Sequence, residues 1–185
     1  MTNAGKREKK YFELHRDSLR VLGRWAADCA EKALPIFEES VNGDTRPRDA
    51  IEGIRAFADG GRRNASLRKL ALAAFRASIE TKDLAASAAA RAASLAAASA
   101  FTHPLIDVQQ TKHIVGPPAY AALAIEIKKD HDPGYGGEVI RFAVESARIE
   151  ICEILSKMPK REEGRGRINY LMSLLDIGLR DKYMK

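Results

Sequence analysis

The sequence is poor in cysteine, has no long apolar run and carries none of the short motifs that mark a nucleotide-binding or nucleophilic site. Cys29 and Cys152 are the only cysteines among 185 residues. Two are too few to staple a secreted scaffold, and a reducing compartment, the cytoplasm, is the expected location. No apolar stretch reaches the roughly 18–20 residues that a membrane span needs, and no membrane contact is expected. The basic opening MTNAGKREKK leads into YFELHRD, which lacks the apolar core of a signal peptide. Alternation of period two, the mark of a half-buried strand, is missing throughout. What remains is a chain with 45% apolar and 30% charged residues, the composition of a soluble globular protein and the length of one ordinary domain.

The net charge is +6 and is unevenly spread. Residues 1–24 hold seven Lys and Arg against three acids, and residues 157–185 hold eight against four, so each end is +4 and the middle is −2. A nucleic-acid-binding protein concentrates its positive charge on one folded face. Here the excess lies on a basic N-terminal tail, residues 1–13, and around the connector from Lys157 to Arg161. A nucleic-acid-associated helical protein is therefore the weaker reading, and solvated termini are the stronger one.

From residue 14 to residue 185 the chain reads as a single all-α bundle of seven or eight helices. Leu19, Leu22, Ala26, Cys29, Ala33 and Ile36 recur in steps of three and four, the stripe of an amphipathic helix. Pro35 sits inside that stripe and predicts a kink or a break. Thr45-Arg46-Pro47 reads as an N-cap followed by an early proline, opening a second helix that stops at Gly60-Gly61. A third begins at Asn64 or Ser66. Eleven of the eighteen residues from Asp83 to Ala100 are alanine. Alanine has the highest helix propensity and no bulk to hold neighbours off, so this segment is expected to be the central helix of the bundle. Pro104 is expected to open a short helix to about Lys112, and Gly116-Pro117-Pro118 another that ends near Lys129. Asp132 to Gly137 reads as a loop, a long helix from Glu138 to Met158 follows, and Pro159 to Gly166 is a polar connector. The last helix carries Ile168, Leu171, Met172, Leu174, Leu175 and Leu179, whose stripe could dock on its own bundle or pack across a two-fold axis in a homodimer.

His103 and Asp107 stand four residues apart, with His113 six further on, and are the candidate metal ligands. A metal-binding bundle or enzyme built on them is an alternative function. The spacing matches no standard metal motif, packed or helix-terminal histidines are the simpler reading, and no cofactor is expected. Cys29 and Cys152 have no CxxC neighbour and fall on or beside apolar stripes, as buried inert thiols do. Gly134-Tyr135-Gly136-Gly137 lacks the Gly-Lys-Ser/Thr ending of a phosphate loop. Trp25 and Asp28 lie one turn apart, and Arg46, Arg48 and Arg55 of the next helix could pair with Asp28 or Glu31. Charge-assisted pairs of this kind fix the register of two helices. Trp25, Asp28, Glu31, Arg46 and Arg55 thus form either a structural motif or a partner-binding one with Trp25 as an aromatic anchor.

The same residues carry a family resemblance. The run from Trp25 to Glu31 (WAADCAE), followed by Leu34 to Glu38 (LPIFE), resembles the opening helix of a bacterial family of immunity proteins, the immunity-5-like group of polymorphic toxin systems. Arg46 to Glu52 (RPRDAIE) resembles the start of its second helix. The alanine-rich segment before His103, with His113 and Gly116 to Ala121 after it, resembles the middle of the family pattern. The likeness covers residues 14–130, while the helices of residues 138–185 carry no family motif and look divergent. The resemblance implies an all-helical, non-enzymatic protein that binds and neutralises a cognate toxin domain made by the same or a kin cell, as in a toxin–antitoxin pair. It supplies no catalytic residues and no toxin-contact residues. A pI near 9.4 suits an acidic toxin surface.

Overall fold

The computed structural model describes residues 10–184, which among them form nine α-helices, two short 3-10 turns and no strand beyond one isolated antiparallel bridge between Tyr11 and Leu105. The basic tail falls mostly on residues outside that range. In α1 (Arg16–Glu31) and α2 (Leu34–Ser40) the predicted stripe is buried from Leu19 to Ile36. The chain breaks between them, and Pro35 stands in the first turn of α2, where a missing N–H costs nothing. Thr45 occupies the N-cap position of α3 (Arg46–Ala58), but its hydroxyl donates to Asp49 at 2.9 Å, and the Asp44 carboxylate instead accepts the Arg46 N–H at 3.1 Å. Asn64 caps α4 (Ala65–Glu80) by accepting the Leu67 N–H at 3.0 Å. Asp83 caps α5 (Leu84–Ala98) by accepting from Ala85 at 2.8 Å and Ala86 at 3.0 Å. Each cap satisfies donors that a helix start leaves without partners.

Eleven of the fifteen residues of α5 are buried, and it packs against α1, α2, α3, α4 and the later α6 (Lys112–Lys128). The Ser94 hydroxyl donates to the Ala71 carbonyl of α4 at 2.9 Å, and Ser87 donates to the Ser78 carbonyl. Towards α6, Gly116 faces Leu95 so closely that a Cβ there would lie 2.9 Å from Leu95 Cδ1. By length and composition Leu84–Phe101 is apolar enough to cross a membrane, contrary to the sequence expectation, but 72% of it is buried inside the fold.

Four local expectations fail, and with them the count of seven or eight helices. Residues 102–107 are not helical. Their backbone pairs with the N-terminal segment, Phe12 N–H donating to the Pro104 carbonyl and Ile106 N–H to that of Lys10, both at 2.9 Å. The 3-10 turn Val108–Thr111 then runs directly into α6, which passes through Pro117 and Pro118 instead of starting there. The expected loop of Asp132 to Gly137 is the start of α7 (Pro133–Ser146), because Asp132 accepts the Gly134 N–H at 2.8 Å and Pro133 presets the first turn. The long helix predicted from Glu138 to Met158 breaks at Ala147 and Arg148 into α7 and α8 (Ile149–Ser156). Lys182 of α9 (Arg167–Tyr183) holds that break, its ammonium donating to the carbonyls of Val144 at 2.9 Å and of Glu145 and Ala147 at 2.7 Å.

Two buried carboxylates lock the C-terminal half. Glu126, 3% exposed on α6, accepts a two-pronged contact from Arg167 at 2.8 and 2.7 Å. Gly136 makes room for it, since a Cβ at 136 would lie 2.6 Å from Glu126 Cγ and closer still to the carboxyl. Asp176, fully buried on α9, accepts from Arg180 at 2.8 and 3.2 Å. Leu171, Leu175 and Leu179 are buried where α9 meets α6, α7 and α8, so the leucine stripe is used inside the fold.

Two substitutions test this packing by urea denaturation. Gly136→Ala should push the Glu126 carboxylate off Arg167, whose side chain is 40% exposed, and destabilise by about 1–3 kcal/mol, the cost of losing hydrogen bonds to a buried charged group. Ala93→Leu, at a fully buried position of α5, should cost about 1–3 kcal/mol through overpacking.

Candidate functional site

Where α1 packs on α3, the charged motif forms a seam. Arg55 donates to Glu31 at 2.7 and 2.6 Å and to Asp28 at 2.9 Å. Arg48 goes instead to Glu38 at 2.6 and 2.8 Å. Arg46 binds Asp44 and, across to the end of α4, Glu80, each at 2.6 Å. Of the three arginines considered for Asp28 and Glu31, only Arg55 reaches them. Its guanidinium holds the Glu31 carboxyl below the ordinary carboxylate range, as Arg46 does for Asp44. Trp25 is only 4% exposed, and its indole N–H donates to the Ala143 carbonyl at 2.9 Å, tying α1 to α7. It is a core residue that also lines the edge of a groove. The groove, of about 360 Å³, is lined by Arg20, Arg24, Asp28, Arg148 and Ile151 among others.

His103, Asp107 and His113 do not assemble into a site. The helix that would have set His103 and Asp107 on one face is replaced by the extended segment. His103 is exposed, with its backbone N–H donating to Gln110 Oε1 at 3.1 Å. The Asp107 carboxylate accepts the Gln109 N–H at 2.8 Å and caps the 3-10 turn. His113, on α6, has its Nδ1 buried without a hydrogen-bond partner. Among the described residues no group of three or more His, Cys, Asp or Glu side chains could hold a metal ion. Cys29 and Cys152 are buried on α1 and α8, and burial pushes both thiols up, away from the reactive thiolate.

A different cluster emerges from the fold. A cleft of about 650 Å³ opens between the start of α1, the start of α4 and residues 101–104, and Arg16, Arg63, Arg68 and His103 line it with Leu14, Leu19, Phe101 and Pro104. Among the described residues its walls carry no carboxylate side chain. Summing charge over the two chain ends hides this cluster. The signal was nonetheless present, because Arg62, Arg63, Arg68, Lys69 and Arg76 follow one another with no acid between Asp59 and Glu80.

These observations define an all-helical bundle with a tightly packed alanine helix, ion-paired seams and an arginine-lined cleft. A sequence profile of the family described as "Imm-5 like putative immunity protein" matches residues 13–155, most of the chain, and the chain belongs to that family. The match runs through α7 and most of α8, past residue 130 where the recognisable motifs end. Comparison with curated proteins gives no match, and comparison with solved structures gives none.

His113 yields a pH prediction. Burial above all, with His103 and Lys112 adding to it, lowers its pKa below the ordinary 6.5. As the pH falls, the unfolded chain takes up that proton before the folded one. Stability is therefore full above about pH 6.5 and declines below it. Thermal melts between pH 8 and 5 should show this decline, and His113→Gln should flatten it.

Proposed function

We propose that the protein is an immunity protein of a bacterial polymorphic toxin system, which binds its cognate toxin domain in the cytoplasm and neutralises it by covering a surface the toxin needs. It performs no reaction of its own. The observation that carries this reading is family membership over residues 13–155. The fold is consistent with it. On this reading α5 serves as the central rod on which neighbouring helices close, and the Arg55, Arg48 and Arg46 pairs fix their register. A surface held this firmly loses little conformational freedom on binding, which leaves more of its contact energy for affinity. The net charge of +6 would also speed encounter with an acidic partner.

Co-expression with the toxin encoded next to its gene is the direct test. Growth should be restored and the two proteins should co-purify as a stable complex. Unrelieved toxicity with no complex between the purified proteins would overturn the reading.

A further inference from the structure

The cleft between α1, α4 and residues 101–104 combines three properties of a site that receives carboxylates. The first is uncompensated charge. Among the described residues Arg16, Arg63 and Arg68 take part in no ion pair, whereas Arg46, Arg48 and Arg55 on the α1–α3 side are each bound to carboxylates. The second is preorganisation. The Arg68 guanidinium lies 4.7 Å and that of Arg63 5.9 Å from the centroid of the Phe101 ring, and Arg63 also donates to the Ala100 carbonyl at 3.2 Å. A guanidinium held against a ring keeps N–H edges free for a two-pronged carboxylate contact, with much of its side-chain freedom already given up. The third is an apolar extension. A second cleft of about 340 Å³ shares Arg68 and Phe101 as a common wall and continues along Leu72, Phe75 and Leu95. Leu72 on its wall is exposed.

We propose that the two adjoining clefts form the docking surface for an acidic segment of a partner protein, with an Asp or Glu side chain seated between Arg16, Arg63 and Arg68 and a neighbouring apolar side chain in the second cleft. The identity of that partner as a toxin rests on the immunity reading, but the chemistry of the site does not. A protein carboxylate fits better than single-stranded nucleic acid. Sequence-tolerant nucleic-acid surfaces offer open aromatic faces on which bases stack. Here the Phe101 ring is covered by Arg68 and Arg63, and the Phe75 ring by Arg91 at 4.2 Å.

The test has two arms. In the first, the full chain is titrated calorimetrically with the toxin domain encoded beside its gene. The double variant Arg63→Gln/Arg68→Gln should bind at least about tenfold more weakly, with a shallower salt dependence. Arg16→Gln should weaken binding in the same direction. Arg141→Gln, an exposed arginine of α7 outside both clefts, should leave it unchanged. Tight binding by the wild type that the double variant retains would overturn the docking surface and leave the immunity reading standing. No binding by the wild type would overturn the immunity reading and leave the site to the second arm. There, hexaglutamate and hexauridine are titrated separately into the wild-type protein while the side-chain Nε–H resonances of Arg63 and Arg68 are followed. Shifts with hexaglutamate that vanish in the double variant support the proposal. No shift with hexaglutamate, or shifts with hexauridine alone, would overturn it.

Discussion

The closeness of α5 to its neighbours is the constraint on which the rest of the bundle depends. A serine hydroxyl is short, and Ser94 and Ser87 reach carbonyls of α4 only because alanine on both sides lets the two backbones approach. On the side of α6, Gly116 removes the last carbon that would stand between the helix and Leu95. Burying one alanine methyl is worth only about 0.8 kcal/mol. The stabilisation therefore comes from many close dispersion contacts, made by residues that lose no side-chain rotamer freedom when ordered. Such packing has little slack, because a bulkier residue cannot turn aside into empty space.

Charge is distributed around this frame in two ways. The Arg55 seam is partly exposed, and pairs of that kind contribute about 0–1 kcal/mol. Their value lies in setting how α1 sits along α3. The Glu126–Arg167 and Asp176–Arg180 pairs are different, because each contains a carboxylate removed from water that would be costly to leave alone. Pairing also explains where the surplus of positive charge ends up. Asp28 and Glu31 of α1, Glu38 of α2 and Asp44 before α3 are matched by Arg55, Arg48 and Arg46, while α4 presents Arg68, Lys69 and Arg76 with Glu80 as its one acid. A chain whose middle is slightly acidic in sum thus carries a basic face in its middle.

Local rules made much of this legible. The α1 stripe, the break at Pro35 and the helix start at Asn64 follow from signals within a few residues of where they act. The Arg55 contact with Asp28 and Glu31 was readable because helices close in sequence commonly pack together. The errors share a cause, which is dependence on something remote. Residues 102–107 stay extended because their backbone partners are Lys10 to Phe12. The break at Ala147 depends on Lys182, 35 residues further on. The start of α7 is an exception, since Asp132 and Pro133 signal it locally while the glycines after them signal a loop. Gly136 is there for Glu126, another residue on another helix. The site formed around Arg63 and Arg68 is not legible locally, because a cleft is a property of three segments and no single stretch of sequence displays its walls.

The family match ends at residue 155, and Lys182 lies beyond it. Yet this one ammonium closes the three carbonyls at the corner between α7 and α8. A helix outside the shared stretch therefore acts as the latch for a bend inside it. Without that ammonium the three carbonyls would have to turn to water, or the bend straighten into one continuous helix. In either case the tail of the molecule sets the course of a segment laid down well before it.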